Sequence, residues 1–314
     1  MINRVLLRIK AVQVLYAYFQ NDSKSIPAAE KELNYSIKQA HDLYHFILLL
    51  AVELTRYAEL SIDNKRNKFL PSAEELNPNT RFIDNLFVRQ LGQNKQLINF
   101  QKATKLTWTD EPNVLKHMYD RVISSDYYGE YMAQTNFSYE ADKALWRKII
   151  KTELLNNEEA DAFLEELNIY WNDDMEIVQS FVIKTIKQFD QENGSEQPLL
   201  PMYKDEQDKA FISKLFHETI ERATELRALI DEYTKNWEID RIAFMDIIIM
   251  QTALTELLSF PTIPVNVTLN EYIEIAKIYS TPRSGVFVNG VLDKIVGELK
   301  RQNKLLKADS VYSK

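Results

Sequence analysis

At 314 residues and 45% hydrophobic content, the chain carries enough apolar material for one large domain or two ordinary ones. Six glycines and nine prolines are few for this length, which disfavours a turn-rich β architecture and favours long helices. The absence of cysteine excludes disulfides, thiolate metal sites and cysteine nucleophiles, and a net charge of −8 argues against general coating of nucleic acid.

Charge is unevenly distributed. Residues 1–20 carry Arg4, Arg8 and Lys10 with no acid, and Lys300, Arg301, Lys304 and Lys307 make the C-terminal end basic. Acid concentrates at Glu158, Glu159, Asp161, Glu165, Glu166, Asp173, Asp174 and Glu176. A charge run by itself reads as a solvated helix face. A weakly basic site on an acidic protein, however, suits selective binding of nucleic acid. No cleavable apolar segment follows a basic start, and Phe46 to Val52 is too short to span a bilayer, so a cytoplasmic protein without membrane contact is expected.

In chain order, Asn3 to Phe19 places Val5, Ile9, Val12, Leu15, Tyr16 and Phe19 on one helical stripe with Arg4 and Arg8 beside it. Pro27 then opens a long helical pattern reaching about Ile62, with Leu33, Ile37, Leu43, Phe46, Ile47, Leu50 and Leu54 on its apolar side. Asn64 to Thr80 reads as a loop. Helical patterns follow at Phe82–Leu91, Val114–Ile123, Tyr139–Leu155, Glu158–Leu167 and Asp174–Phe189, and nothing alternates with period two for long enough to make a sheet. Gln191–Pro198 is the clearest linker, and Asn193–Pro198 is the expected first site of proteolysis.

Three further helices are predicted between Trp237 and Ile295. Asp240 is a candidate N-cap for a helix apolar around nearly its whole circumference, from Ile242 to Leu258, which must therefore be buried. Pro261 and Pro264 end it, and Thr268 with Glu271 has the spacing of a capping box opening Leu269–Tyr279. After a turn at Ser280–Gly285, Phe287, Val288, Val291, Leu292 and Ile295 begin the last helix. Gly290 inside it costs about 1 kcal/mol against alanine, which implies a close helix crossing there.

Little in the chain suggests catalysis. His41 and His45 share a helix face at a spacing two metal ligands could use, but supporting carboxylates are missing and His117 and His217 have no partner pattern. There is no glycine-rich phosphate loop or serine elbow, and Glu165–Glu166 lies on a very acidic face. No metal, cofactor or enzyme activity is expected. The remaining signal is arginine beside aromatic residues: Arg4, Arg8 and Tyr16 near the start, and Arg283, Ser284 and Phe287 before the last helix. Single-stranded RNA is held by such pairs, arginine on phosphate and ring on base. By periodicity alone Tyr16 and Phe287 belong to the core.

The run Trp237-Glu-Ile-Asp-Arg-Ile, then Ala253-Leu-Thr-Glu-Leu-Leu, Ile263-Pro, Asn270-Glu271, Ile275-Ala276-Lys277 and Phe287-Val-Asn-Gly-Val-Leu-Asp293, resembles the C-terminal half of the NusB family of bacterial transcription antitermination factors. Arg8-Ile-Lys-Ala-Val-Gln-Val-Leu-Tyr16 looks like that family's first helix and Asp208-Lys-Ala-Phe-Ile-Ser-Lys-Leu like its third. The resemblance implies an all-α fold: a discontinuous bundle from residues 1–36 and 203–303, a helical insertion at 37–202 without family counterpart, and a basic tail at 304–314. It implies a non-enzymatic adaptor that binds a boxA-like single strand of nascent ribosomal RNA. It would do so together with the ribosomal protein NusE in the transcription elongation complex.

The RNA surface carried over from the resemblance comprises Arg4, Arg8, Tyr16, Arg283, Ser284 and Phe287. Val5, Leu6 and Leu7 interrupt the arginine cluster usual in the family's first helix, which leaves Arg8 open to a structural role paired with an acid. That interruption also motivates a second reading, a helical interaction scaffold that keeps the fold without binding RNA. NusB-like domains fused to ribosomal RNA cytosine methyltransferases need a cysteine nucleophile and a cofactor domain, and this chain has neither.

Overall fold

Apolar side chains recurring at three- and four-residue steps bury a face only when wound as helices, and the chain folds accordingly. A computed structural model describes residues 4–21, 25–155, 157–234 and 242–305; every regular element among them is helical, as expected. Trp237, the expected N-cap Asp240 and the tail from residue 306 lie outside the described residues. No described helix is long and apolar enough to cross a membrane.

The α-helices are α1 (Arg4–Gln20), α2 (Ile26–Arg66), α3 (Ala73–Leu76), α4 (Leu86–Gly92), α5 (Lys95–Thr104), α6 (Pro112–Ile123), α7 (Asp126–Ala133) and α8 (Tyr139–Ile149). They continue with α9 (Glu158–Leu167), α10 (Met175–Gln188), α11 (Glu206–Glu221), α12 (Ala223–Thr234), α13 (Phe244–Ser259), α14 (Val265–Tyr279) and α15 (Ser284–Arg301). The chain divides into two compact units, one of residues 38–202 and one of Ile2–Ile37 with Tyr203–Lys314. α2 contributes its first turns to the latter and the remainder to the former.

In the discontinuous unit α13 is the central helix, buried from Asp246 to Leu257 and packed on α1, α11, α12, α14 and α15. Its apolar circumference dictates this. Two local expectations are corrected here. α14 begins at Val265 behind Pro264, so Thr268 is not an N-cap; it is fully buried, and its hydroxyl serves the interior. Gly290 is exposed, and a Cβ there would meet nothing within 4 Å. The tight glycine is Gly285, where a Cβ would stand 2.6 Å from Lys277 Cγ, at the junction of α14 and α15.

The 38–202 unit is built on three indoles. Trp108, Trp146 and Trp171 are each at most 1% exposed. Trp108 stacks on Phe46 with centroids 4.5 Å apart and donates its indole N–H to the Phe46 carbonyl at 2.8 Å. Trp171 donates to the Gln39 carbonyl at 2.9 Å. Both rings thus bury their area against α2 while their one polar atom is satisfied by α2 carbonyls. Glu53, 2% exposed on α2, accepts from the Trp108 amide at 2.6 Å, Thr107 at 2.8 Å and Gln101 at 2.9 Å.

The Gln191–Pro198 linker expectation is also corrected. Residues Gln191–Glu196 form a 3-10 turn, Gln90 Nε2 donates to the carbonyls of Asp190 (2.8 Å) and Gly194 (3.0 Å), and the fully buried Asn94 donates to the Gln197 carbonyl at 2.7 Å. A segment whose carbonyls are so occupied is not the first to open to a protease. Helices α5 and α7 escaped the periodicity because each buries a single residue, Leu97 and Tyr131, and is held by caps at Asn94 and Ser125.

His41 and His45 face inward. His41 Nε2 donates to the Leu200 carbonyl at 2.8 Å, and His45 Nδ1 donates to the His41 carbonyl at 2.9 Å while its ring stacks on Phe100. Burial disfavours the charged imidazolium and, with His41 beside it, pushes His45 down to about 4.

Two outcomes follow for stability. The folded His45 takes up its proton only near pH 4, whereas the unfolded residue does so near its ordinary value of 6.5, so stability present above pH 6.5 is lost as pH falls between those values. Chemical denaturation across pH 4 to 7 should show up to about 3 kcal/mol of this loss, flattened in His45→Phe. Gly290→Ala should raise unfolding free energy by roughly 0.5–1 kcal/mol, because the alanine has open space and less chain entropy to lose.

Candidate nucleic-acid interface

Two of the six residues singled out from the sequence, Tyr16 and Ser284, contact the first turn of α13. Tyr16 packs its half-buried ring against Phe244, with centroids 5.5 Å apart, and its hydroxyl accepts from Gln20 at 3.3 Å. Two residues further along α13, Asp246 accepts the Ser284 hydroxyl at 2.9 Å. Ser284 is 1% exposed, and its Oγ also accepts the Thr281 amide at 3.0 Å. The turn entering α15 is thereby fastened to α13 through one hydroxyl.

Fastening this turn buries Ser284 and Gly285 and leaves Arg283 and Val286 exposed on either side of them. Arg283 is exposed and makes no ion pair among the described residues, while Phe287 is half-buried on the first turn. The first turn of α15 contains no acid, so the amides and partial positive charge of an 18-residue helix lie beside an unneutralised guanidinium. An anion and an adjoining planar base suit that pairing. Asp246 keeps its other oxygen, Oδ1, buried without a hydrogen-bond partner among the described residues, a cost accepted for positioning the turn.

Arg4 and Arg8 lie at the other end of α1. Twelve residues separate Arg4 from Tyr16, roughly 18 Å at helical rise. Arg4 donates to Asp208 at 2.8 Å and sits over the Phe211 ring, with its side chain 35% exposed. Arg8 lies in the core: 3% exposed, it donates from Nε and Nη2 to the two oxygens of Glu256 at 2.7 and 2.8 Å. Glu256 is itself fully buried and also accepts from Thr268 at 2.8 Å and Tyr272 at 3.2 Å. Burial alone would lower the Arg8 pKa, but the hydrogen bonds and charge of Glu256 raise it overall. Burial, with Glu256 adjacent, holds the Tyr272 phenol well above its ordinary range.

Sequence reasoning missed Phe244, Asp246 and Glu256. The signal was present: Asp246 and Glu256 are the only acids in the otherwise apolar α13, and an acid in a helix buried all round must find a partner. Arg8→Ala would strand the Glu256 charge, and urea unfolding should register a loss of about 3–5 kcal/mol. Arg8→Met combined with Glu256→Leu should recover most of it, whereas equal losses in the single and double variants would refute a buried pair.

Comparison with known proteins shows what the sequence is similar to. A model described as NusB family matches residues 174–297, beginning at the N-terminus of α10 and taking in Asp246, Glu256 and the Arg283–Phe287 turn. The chain is 43% identical over 132 residues to the transcription antitermination protein NusB of Salinibacter ruber, a match covering 40% of this chain and 82% of that one. It is 38% identical over 112 residues to the protein of that name from Geobacter sulfurreducens, covering 34% and 81%. For Chloroherpeton thalassium the figures are 39% over 100 residues, 32% and 47%. No solved structure matches the chain. With four-fifths of two NusB proteins covered at such identity, the chain belongs to the NusB family.

Proposed function

We propose that the protein is a transcription antitermination factor that binds a boxA-like single strand of RNA together with NusE and works by binding, without catalysis. The observation that carries this reading is the Ser284–Asp246 hydrogen bond. It fixes the Arg283–Phe287 turn on the same turn of α13 that Tyr16 packs against. Arg283 and the α15 N-terminus take a phosphate, and Phe287 and Tyr16 offer ring faces or edges to an unstacked base. Ser284 and Arg8 hold the surface in shape from within. Arg4, partly exposed and shared with Asp208, contributes charge at the periphery. NusE and RNA on one surface raise each other's affinity by linked binding, and the elongation complex is the setting in which that linkage acts.

A second reading, the interaction scaffold without RNA, draws on one fact: Arg8 and Arg4 are already engaged by Glu256 and Asp208. Titration of labelled boxA-like RNA, with and without NusE, separates the two. Few free cations imply a shallow salt dependence, about −0.7 in log–log slope per phosphate neutralised. Arg283→Ala should weaken all single strands alike and flatten that slope, whereas Phe287→Ala should cost about 1–3 kcal/mol of binding while the protein stays folded. A stable Phe287→Ala protein binding as the parent does, with and without NusE, would favour the scaffold.

A further inference from the structure

Within the 38–202 unit, α2 outruns its own core. Ala58 is fully buried, yet two residues on Leu60 is 57% exposed, and the helix continues to Arg66. Arg56, Leu60 and Lys65 stand at four- and five-residue steps along one side of a cavity of about 480 Å³. Pro112 and Leu115 of α6 line it as well. This is the size of a pocket that takes small ligands or large side chains.

The chemistry of this cavity is one-sided. Glu53, its buried acid, already accepts three hydrogen bonds and calls for nothing further. Lys68 is paired with Glu75 at 2.5 Å. Arg56 and Lys65 are exposed and make no ion pair among the described residues. Arg56 is felt electrostatically by Glu53 and Lys65 by Glu75, but with no direct ion pair either can still take a carboxylate beside an apolar group set in the aliphatic recess. Phe69 and Leu70, 98% and 83% exposed, follow Lys68 in the chain, and large apolar side chains so exposed mark interaction surfaces.

We propose that this cavity docks a partner peptide that inserts one bulky apolar side chain and sets a neighbouring Asp or Glu against Arg56 and Lys65. A nucleic acid fits less well on two counts. The recess offers aliphatic walls, and its one ring, Tyr57, is engaged edge-on with Tyr119 at 5.7 Å. Residues 38–202 also hold 18 Lys and Arg against 26 Asp and Glu, a balance that repels a polyanion but tolerates one or two carboxylates.

Selection of a random dodecapeptide phage library on the full-length chain tests this. Enriched peptides should carry a large apolar residue within a turn of an Asp or Glu. Synthetic copies should bind Leu60→Asp, and the double variant Arg56→Glu with Lys65→Glu, at least about ten-fold more weakly than the parent. All three positions are exposed, and unchanged Tm confirms folding. Exchanging the peptide acids for Lys should restore binding to the double variant. Enriched peptides without acids, equal affinity for the variants, or no enrichment would overturn the proposal. Oligouridylate RNA whose affinity falls with these substitutions would overturn it in favour of nucleic acid.

Discussion

Arg8 and Glu256 meet where almost no water reaches, and the packing of the discontinuous unit turns on that meeting. A buried ion pair gains little net stability over apolar residues of similar volume, because desolvation consumes much of the Coulomb attraction. What it contributes here is register. The fork of the guanidinium fits both carboxylate oxygens only when one turn of α1 faces one turn of α13, and Thr268 and Tyr272 of α14 satisfy the remaining lone pairs. Three helices are pinned at one point, and any slip would leave a buried charge without its counterpart.

The candidate interface is a consequence of that pin at a distance. With α1 and α13 joined at Arg8 and Glu256, Tyr16 meets Phe244 at the opposite end of both helices. Asp246 then seizes the turn before α15 through Ser284. The same helix therefore carries a structural acid near its C-terminus and an organising acid at its N-terminus, each reading a different neighbour. The exposed guanidinium and half-buried rings at the surface inherit their positions from these interior bonds.

The charge of the chain partitions with its architecture. The excess of acid over base within residues 38–202 equals the whole net charge of −8, so the discontinuous unit is neutral overall. The acidity that argues against a nucleic-acid partner thus belongs to the other unit. That unit has its own polar fastenings: indole N–H groups on α2 carbonyls, Glu53 on the Trp108 amide, and Gln90 with Asn94 on the segment after α10.

The sequence by itself determined the helical class, since periods of three and four residues in a glycine-poor chain can bury an apolar face in no other regular way. It also marked the burial of α13, the bounds of α9 and the arginine and aromatic segments at Tyr16 and Phe287. Tertiary structure alone decided which polar groups were spent inside. Arg8 stays open between a basic border residue and one paired with an acid until Glu256 is seen 248 positions away, Thr268 reads as a cap until its hydroxyl is seen on the same acid, and Gln191–Pro198 as a linker until Gln90 and Asn94 take its carbonyls. Gly290 looks like a crossing point, while the close approach falls at Gly285 against Lys277. The division has one physical cause: helical periodicity is set by neighbours within a turn or two, whereas a buried polar group is satisfied by whichever distant side chain packing brings within about 3 Å.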